Sequence, residues 1–283
     1  MAALPSDPRL VIFDLDGVVY RGTQPIAGAV DLIEAVHAAG ALVRYATNNS
    51  MHTREEYVER LRRMGIRAAA DEIVTSTSAT VDHLRSHCPD VRTVLTLGAP
   101  GMLAEFRAAG YEATSAAEAG PQDWNGADLP QPFDAVVAGL DPRVDYRRLG
   151  IAASAIRAGA RFFATNADVQ YPTPDGVVPG AGAIIAALAA TSGVEPLVIG
   201  KPQPAMFAGI LEQTGCAASA SIIIGDNPDA DLVAANRAGI ASVLVLTGVT
   251  DAEAAAALDG ERRATAVAND PAQAAALLGL ALS

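Results

Sequence analysis

Short apolar runs recur along the chain, and several break off abruptly into polar clusters. Leu10 to Phe13 is the first, a run with β-branched residues that reads as a buried strand. Asp14 and Asp16 follow at once, and Gly17 lets the backbone turn sharply. Positions 26–39 carry apolar residues at helical spacing and end at Gly40, a glycine suited to terminate a helix. Leu42 to Ala46 is a second strand, with Thr47-Asn48-Asn49-Ser50 at its end. Thr53 to Met64 is a charged amphipathic helix closed by Gly65, and Ile66 to Val74 leads to Ser76 and a helix reaching His87. Further strands are predicted at Thr93–Leu97, Ala135–Ala138, Arg161–Ala164, Leu197–Ile199, Ser221–Ile224 and Ser242–Leu246, with a polar Gly/Pro loop at 120–132. Alternating strands and helices predict an α/β fold with a mostly parallel sheet.

In open parallel sheets, ligands bind beyond the carboxyl ends of the strands. Four predicted strand ends carry chemistry there: Asp14 with Asp16, Thr47 with Asn48, Lys201, and Asp226 with Asp231. Each has a plain alternative. Asp14 and Asp16 could be solvated turn carboxylates. Thr47 and Asn48 could cap a helix, Asp231 could favour a helix N-terminus, and Lys201 could sit on the surface. Four convergent clusters after four apolar strands are harder to explain singly. Together they suit phosphoryl transfer with Mg²⁺. The carboxylates of Asp14 and Asp226 and the Asp16 carbonyl offer the oxygen ligands this ion prefers. Lys201, the Thr47 hydroxyl and the Asn48 backbone N–H can neutralise phosphoryl oxygens. Aspartate can attack phosphorus, and a second carboxyl can protonate the leaving oxygen and then deprotonate water.

Composition narrows the partners. The 283 residues can bury one large core or two modest ones. Lys and Arg total 20 against 32 Asp and Glu, a net charge of −12 that disfavours a nucleic-acid partner. An anionic substrate must therefore be drawn in by local positive charge. Cys88 and Cys216 are the only cysteines, too few for a disulfide framework or a cysteine zinc site. The longest apolar runs, 181–190 and 274–282, are too short to span a bilayer, and the N-terminal residues do not read as a signal peptide. A reducing, cytoplasmic setting is the expectation.

DLDG at 14–17, TNNS at 47–50, Lys201 and GDNPDAD at 225–231 resemble the four ordered motifs of the haloacid-dehalogenase-like phosphatases. VVAGLDPRVDY at 136–146 and ATNADVQYPTPDGVVPGAG at 164–182 resemble cap signatures of its large α/β-cap subfamily, the NagD, 4-nitrophenylphosphatase and phosphoglycolate-phosphatase-like enzymes. Ala27 and Ala230 stand where that pattern carries Pro and Thr. The resemblance implies a Rossmann-like, doubly wound parallel-sheet core at 1–83 and 197–283, with an inserted α/β cap at 84–196 that sets substrate specificity. It implies a Mg²⁺-dependent phosphatase of small phosphorylated metabolites, with Asp14 as nucleophile and Asp16 as general acid/base. Asp14, Asp16 and Asp226 would hold the metal, and Asp231 would support them. Thr47, Asn48, Lys201 and Tyr171 would bind substrate, whereas Asn166 and Asp168 are read as shaping the turn towards Pro172. The resemblance also allows a homodimer through the cap. A receiver-like phospho-acceptor domain and a phosphotransferase on the same core are the alternatives. The receiver has its acidic pair ahead of the acceptor aspartate and is far shorter. No P-loop motif supports a nucleotide-hydrolysing module, since Pro202 follows Gly200-Lys201. A dehalogenase would leave Asp16 without a leaving oxygen to protonate.

Overall fold

The computed structural model describes residues 3–126, 129, 131–173 and 176–282. Residues 127, 128 and 130 of the expected 120–132 loop lie outside the described residues, as do 174 and 175 of the 164–182 segment. From the N-terminus run β1 (Leu10–Asp14), the short pair β2 (Tyr20–Arg21) and β3 (Gln24–Pro25), α1 (Ala29–Ala38), β4 (Leu42–Thr47), α2 (Arg54–Arg63), β5 (Ile73–Thr75) and α3 (Ser76–His87). Next come β6 (Thr93–Leu97), α4 (Pro100–Ala108), β7 (Glu112–Ser115), β8 (Ala135–Ala138), α5 (Tyr146–Arg157), β9 (Arg161–Ala164), β10 (Gln170–Thr173), β11 (Gly176–Pro179), α6 (Ala181–Ser192) and β12 (Leu197–Val198). The last part holds α7 (Ala205–Thr214), β13 (Ser221–Gly225), α8 (Val233–Ala238), β14 (Ala241–Val245), α9 (Ala252–Ala256), β15 (Ala266–Ala268) and α10 (Pro271–Leu277).

Two compact units divide these elements. The first takes the chain up to Thr47, Arg54–Val74, and everything from Lys201 onward; the second takes Asn48–Thr53 and Thr75–Gly200. The breaks expected from the sequence lie at 83/84 and 196/197. Helix α3 goes with the second unit because its N-cap is Thr75, whose hydroxyl accepts from the Ser78 N–H at 3.0 Å, and because it packs on α4. The first turn of α3 also holds the 48–53 segment. Ser76 Oγ donates to the Asn48 carbonyl at 2.6 Å, and Thr77 Oγ1 to the Ser50 carbonyl at 3.4 Å.

In the first unit six strands lie in the order β15-β14-β13-β1-β4-β5, with parallel pairing from β15 through β4. Strand β1 is central and buried on both faces, which is why its sequence is a continuous apolar run rather than an alternating one. Each fully buried Leu, Val or Ile in it contributes roughly 1.5–3 kcal/mol, a reserve against which a costly charged site can be built at its end. Helix α1 covers the sheet with Leu32, Ile33 and Val36, and ends as expected at Gly40, whose φ is +80°. The chain leaves β1 for β4 on one side and returns as β13 on the other. The carboxyl end of β1 is therefore the topological switch point, where an open α/β sheet forms its crevice.

The second unit repeats this logic at smaller scale. Its parallel sheet runs β12-β9-β8-β6-β7, and β8 is buried throughout. Helices α5 and α6 pack together, with Ile151, Ile156, Ile184 and Leu188 in one core with Val136 and Phe162. An antiparallel hairpin, β10 with β11, extends from it and leaves Val177 and Val178 exposed. Among the described residues no helix is long and apolar enough to cross a membrane.

Candidate active site

Parallel pairing of Phe13 with Ile224 makes Asp14 and Asp226 leave the sheet on adjacent strands. The pairing of Asp14 with Ala46 brings the end of β4 alongside. Lys201 enters this crevice. Its Nζ donates to Asp14 Oδ1 at 2.5 Å, to Asp231 Oδ1 at 2.7 Å and to the Ala46 carbonyl at 3.3 Å. Asp231 sits in a π turn, Pro228–Leu232, that opens α8, and its second oxygen accepts from the Asn227 N–H at 3.1 Å. Asp226 Oδ2 accepts from the Val249 N–H at 2.8 Å.

Oxygens of Asp14, Asp226 and Asp231 all lie within 4.8 Å of one another, and only 8, 3 and 1% of these residues' surfaces are exposed. Three carboxylates and one ammonium, paired to Asp14 and Asp231, lie in a buried space, a formal excess of two negative charges. Burial pushes the Asp14 carboxyl well above the ordinary carboxylate range despite Lys201, and the charges of Asp231 and Asp226 push the same way. Burial, then the Asp231 charge, moves Asp226 up to about 7. Burial alone would lower the Lys201 ammonium, but Asp14 and Asp231 outweigh it and hold it above the ordinary lysine range. An all-oxygen, doubly negative, enclosed donor set fits a hard divalent cation and offers nothing to a thiophilic one. Asp231, expected only to support the ligands, stands in the cluster itself, with both of its oxygens engaged.

Asp16 lies outside this cluster and is exposed. It sits at a tight turn in which Gly17 takes φ +85° and the Leu15 carbonyl accepts from the N–H groups of Val19 at 2.9 Å and Tyr20 at 3.1 Å. The turn is pinned by Arg60 of α2, whose guanidinium lies 4.5 Å from the Tyr20 ring centroid and donates to the Gly22 carbonyl at 3.1 Å. Burial, then the Asp16 charge, pushes the Tyr20 hydroxyl up, so this fully buried ring stays neutral. Thr47 is the buried last residue of β4.

The remaining substrate-binding candidates belong to the second unit. Asn48 Nδ2 donates to both oxygens of Asp168, at 3.1 and 3.3 Å. The Asn48 carbonyl accepts from Asn166 Nδ2 at 2.7 Å as well as from Ser76. Asn166 does shape the turn, since its Oδ1 accepts from the Asp168 N–H at 3.1 Å. The reading of Asn166 and Asp168 as turn residues alone is nevertheless too narrow, because both also grip Asn48. Nothing in the local pattern linked positions 48 and 168. Their placement after two predicted strand ends was the one available signal. Tyr171, half-buried on β10, packs against the apolar core of its unit and is not part of this polar cluster.

Fold and site together define an α/β protein with a lysine-bridged carboxylate centre at its strand ends. Residues 11–112 match the haloacid dehalogenase-like hydrolase family, and residues 198–274 match a second family of the same kind. An acid sugar phosphatase of Staphylococcus aureus is 37% identical over 245 residues, 87% of this chain and 89% of the relative. The crystal structure of 4-nitrophenylphosphatase from Thermotoga maritima superposes with a TM-score of 0.84 at 30% identity, covering 96% of this chain and 98% of that one. A glycerol phosphate phosphatase from Mycobacterium tuberculosis, solved in complex with magnesium, superposes at 0.82 with 31% identity, covering 94 and 76%. The chain belongs to the haloacid-dehalogenase-like hydrolases, in the subfamily with a large α/β cap.

Proposed function

We propose that this protein is a Mg²⁺-dependent phosphatase that hydrolyses small phosphate monoesters through an aspartyl phosphate on Asp14. The carrying observation is the buried Asp14 carboxylate held 2.5 Å from Lys201 within a cluster of three aspartates. The phosphatase relatives support the same reading. Asp14, Asp226 and the Asp16 carbonyl would hold Mg²⁺, which when bound neutralises the excess carboxylate charge and the phosphoryl oxygens. Lys201 fixes Asp14 through Oδ1. An oxygen of Asp14 attacks phosphorus, the phosphorus–oxygen ester bond breaks, and Asp16 gives its proton to the departing alkoxide. Water then attacks the same phosphorus, Asp16 takes its proton, and Asp14 is released with inorganic phosphate. The exposed position of Asp16 on a braced turn suits a group that must lose and regain a proton each cycle.

Thr47, the Asn48 N–H and Lys201 are assigned to the phosphoryl oxygens, supplying local positive charge on a chain of net charge −12. The second unit, with Tyr171, is assigned to the organic part of the substrate. Cys88 and Cys216 are free thiols, which fits a reducing, cytoplasmic setting. The test is turnover of 4-nitrophenyl phosphate by purified protein. It should be absent after EDTA and return with Mg²⁺; turnover that is indifferent to EDTA, or none in excess Mg²⁺, would refute the assignment.

A further inference from the structure

The loop after β14, residues 247–250, takes no part in the four sequence motifs, yet it contacts both the carboxylate and the backbone carbonyl of Asp226. The Val249 N–H donates to Asp226 Oδ2 at 2.8 Å, and Thr250 Oγ1 donates to the Asp226 carbonyl at 2.8 Å. Thr247 Oγ1 donates to the Gly17 carbonyl at 2.7 Å, and the Thr247 carbonyl accepts from Arg21 Nη2 at 2.5 Å. The same four residues therefore hold Asp226 and the turn that carries Asp16. Gly248 shows what the arrangement demands. Its φ is not positive, so its backbone suits any residue. A methyl group built on it would nevertheless overlap both Oδ2 and Cγ of Asp226. One built on Gly17 would meet the same carboxylate. Asp226 Oδ2 is thus enclosed between two glycines and a backbone N–H, while Oδ1 takes no bond from the loop.

We infer that residues 247–250 form the positioning loop of the metal site. It holds the Asp226 carboxylate in one rotamer, with Oδ2 committed to Val249 and Oδ1 left for the cation, and it couples that carboxylate to the turn bearing Asp16. This rests on the metal-dependent reading above. Gly248 is the key residue, acting through Asp226 rather than on substrate.

The test is Gly248→Ala, with Thr250→Val as a milder variant that removes one hydroxyl at constant shape. Three quantities are measured: the Mg²⁺ dissociation constant by calorimetry, kcat for 4-nitrophenyl phosphate at saturating Mg²⁺, and the melting temperature in EDTA. Outer partners of metal ligands typically change affinity by roughly 10- to 100-fold, and Gly248→Ala should weaken Mg²⁺ binding by that order. kcat at saturating metal should fall by a smaller factor than the affinity, and the EDTA melting temperature should also fall, because the added methyl displaces a buried carboxylate. Thr250→Val should weaken Mg²⁺ in the same direction by a smaller factor. Unchanged Mg²⁺ affinity in Gly248→Ala overturns the inference, as does a loss confined to kcat. If Gly248→Ala does not fold, unchanged affinity in Thr250→Val decides against the loop. Wild-type protein that binds Mg²⁺ but turns over no phosphate ester would instead defeat the phosphatase reading while leaving the loop's role to the affinity data.

Discussion

Lys201→Ala should expose how the buried site is held together. The substitution removes an ammonium bonded to Asp14, Asp231 and the Ala46 carbonyl, and leaves three carboxylates in a buried space. Breaking a buried ion pair by deleting one partner costs about 3–5 kcal/mol, a large part of the roughly 5–15 kcal/mol that holds a domain together. The structure also fixes how this loss varies with pH. Lys201 lowers the proton affinity of Asp14 and Asp226, so without it both carboxyls titrate still higher. At low pH both carboxyls hold protons and escape the penalty, and it grows as rising pH removes those protons. Urea unfolding of metal-free wild type, Lys201→Ala and Lys201→Met, the last retaining most of the buried volume, measures this directly. The loss should be greatest at the higher pH, similar for both variants, and partly restored by Mg²⁺. In kinetics the variant should depress kcat/KM for every phosphate ester by similar factors, since the phosphoryl group is common to all of them. Tyr171→Ala should instead change the ranking of esters; an unchanged ranking would refute its assignment to the organic part of the substrate. A Lys201→Ala loss below about 1 kcal/mol at the higher pH would show that the ammonium does not offset the carboxylates.

Two further outcomes follow from the same geometry. With Asp226 raised to about 7 and Asp14 raised by burial as well, the folded metal-free protein holds protons that the unfolded chain releases. The stability this confers is complete below the ordinary carboxylate range and is lost as pH rises through about 7, for Asp226 by up to roughly 4 kcal/mol. Thermal melts in EDTA should fall across that window and melts in Mg²⁺ should not; a metal-free protein that gains stability there contradicts the electrostatics. Asp168→Ala removes the acceptor of both Asn48 Nδ2 contacts, whereas Asp168→Asn keeps one. If Asn48 binds the phosphoryl group, Asp168→Ala should weaken competitive inhibition by inorganic phosphate by roughly 10-fold, in line with about 1.5 kcal/mol for a charge-assisted hydrogen bond, with partial recovery in Asp168→Asn. Unchanged phosphate inhibition would return Asp168 to a turn-shaping role.

The parts legible in the sequence were those with a local cause. A strand buried on both faces must be a continuous apolar run, and a polar cluster directly after one marks a strand end. Leu10–Asp14, Thr93–Leu97, Ala135–Ala138, Arg161–Ala164 and the acidic segment at 225–231 were all found this way. Several short strands without such a run were not, although the edge strand β12 was. β7, β15 and the β10–β11 hairpin are short, and in β11 even the valines are exposed, so no apolar period reveals them. Site residues followed the same division. Asp14 and Asp226 are brought together by the parallel register of β1 and β13, Lys201 and Asp231 join them through the ion pairs, and all four follow strand ends that the apolar runs mark. The grip of Asn166 and Asp168 on Asn48, and of residues 247–250 on Asp226, runs through backbone groups and small side chains, which carry no chemical signature in a sequence. The grouping of Asn48–Thr53 with the second unit is of the same kind, since it rests on hydroxyl-to-carbonyl bonds made by Ser76 and Thr77.

The covalent step on Asp14 is the central claim, and trapping the phosphoenzyme tests it most directly. Wild-type protein turning over a phosphate ester with Mg²⁺ is quenched in acid and digested, and the peptide spanning Leu10–Gly22 is weighed by mass spectrometry. A phosphoryl group on Asp14, lost on treatment with hydroxylamine and absent from Asp14→Asn, which should also be inactive while folded, is the expected result. Full turnover by Asp14→Asn, or a phosphoryl group found on another residue, would contradict it.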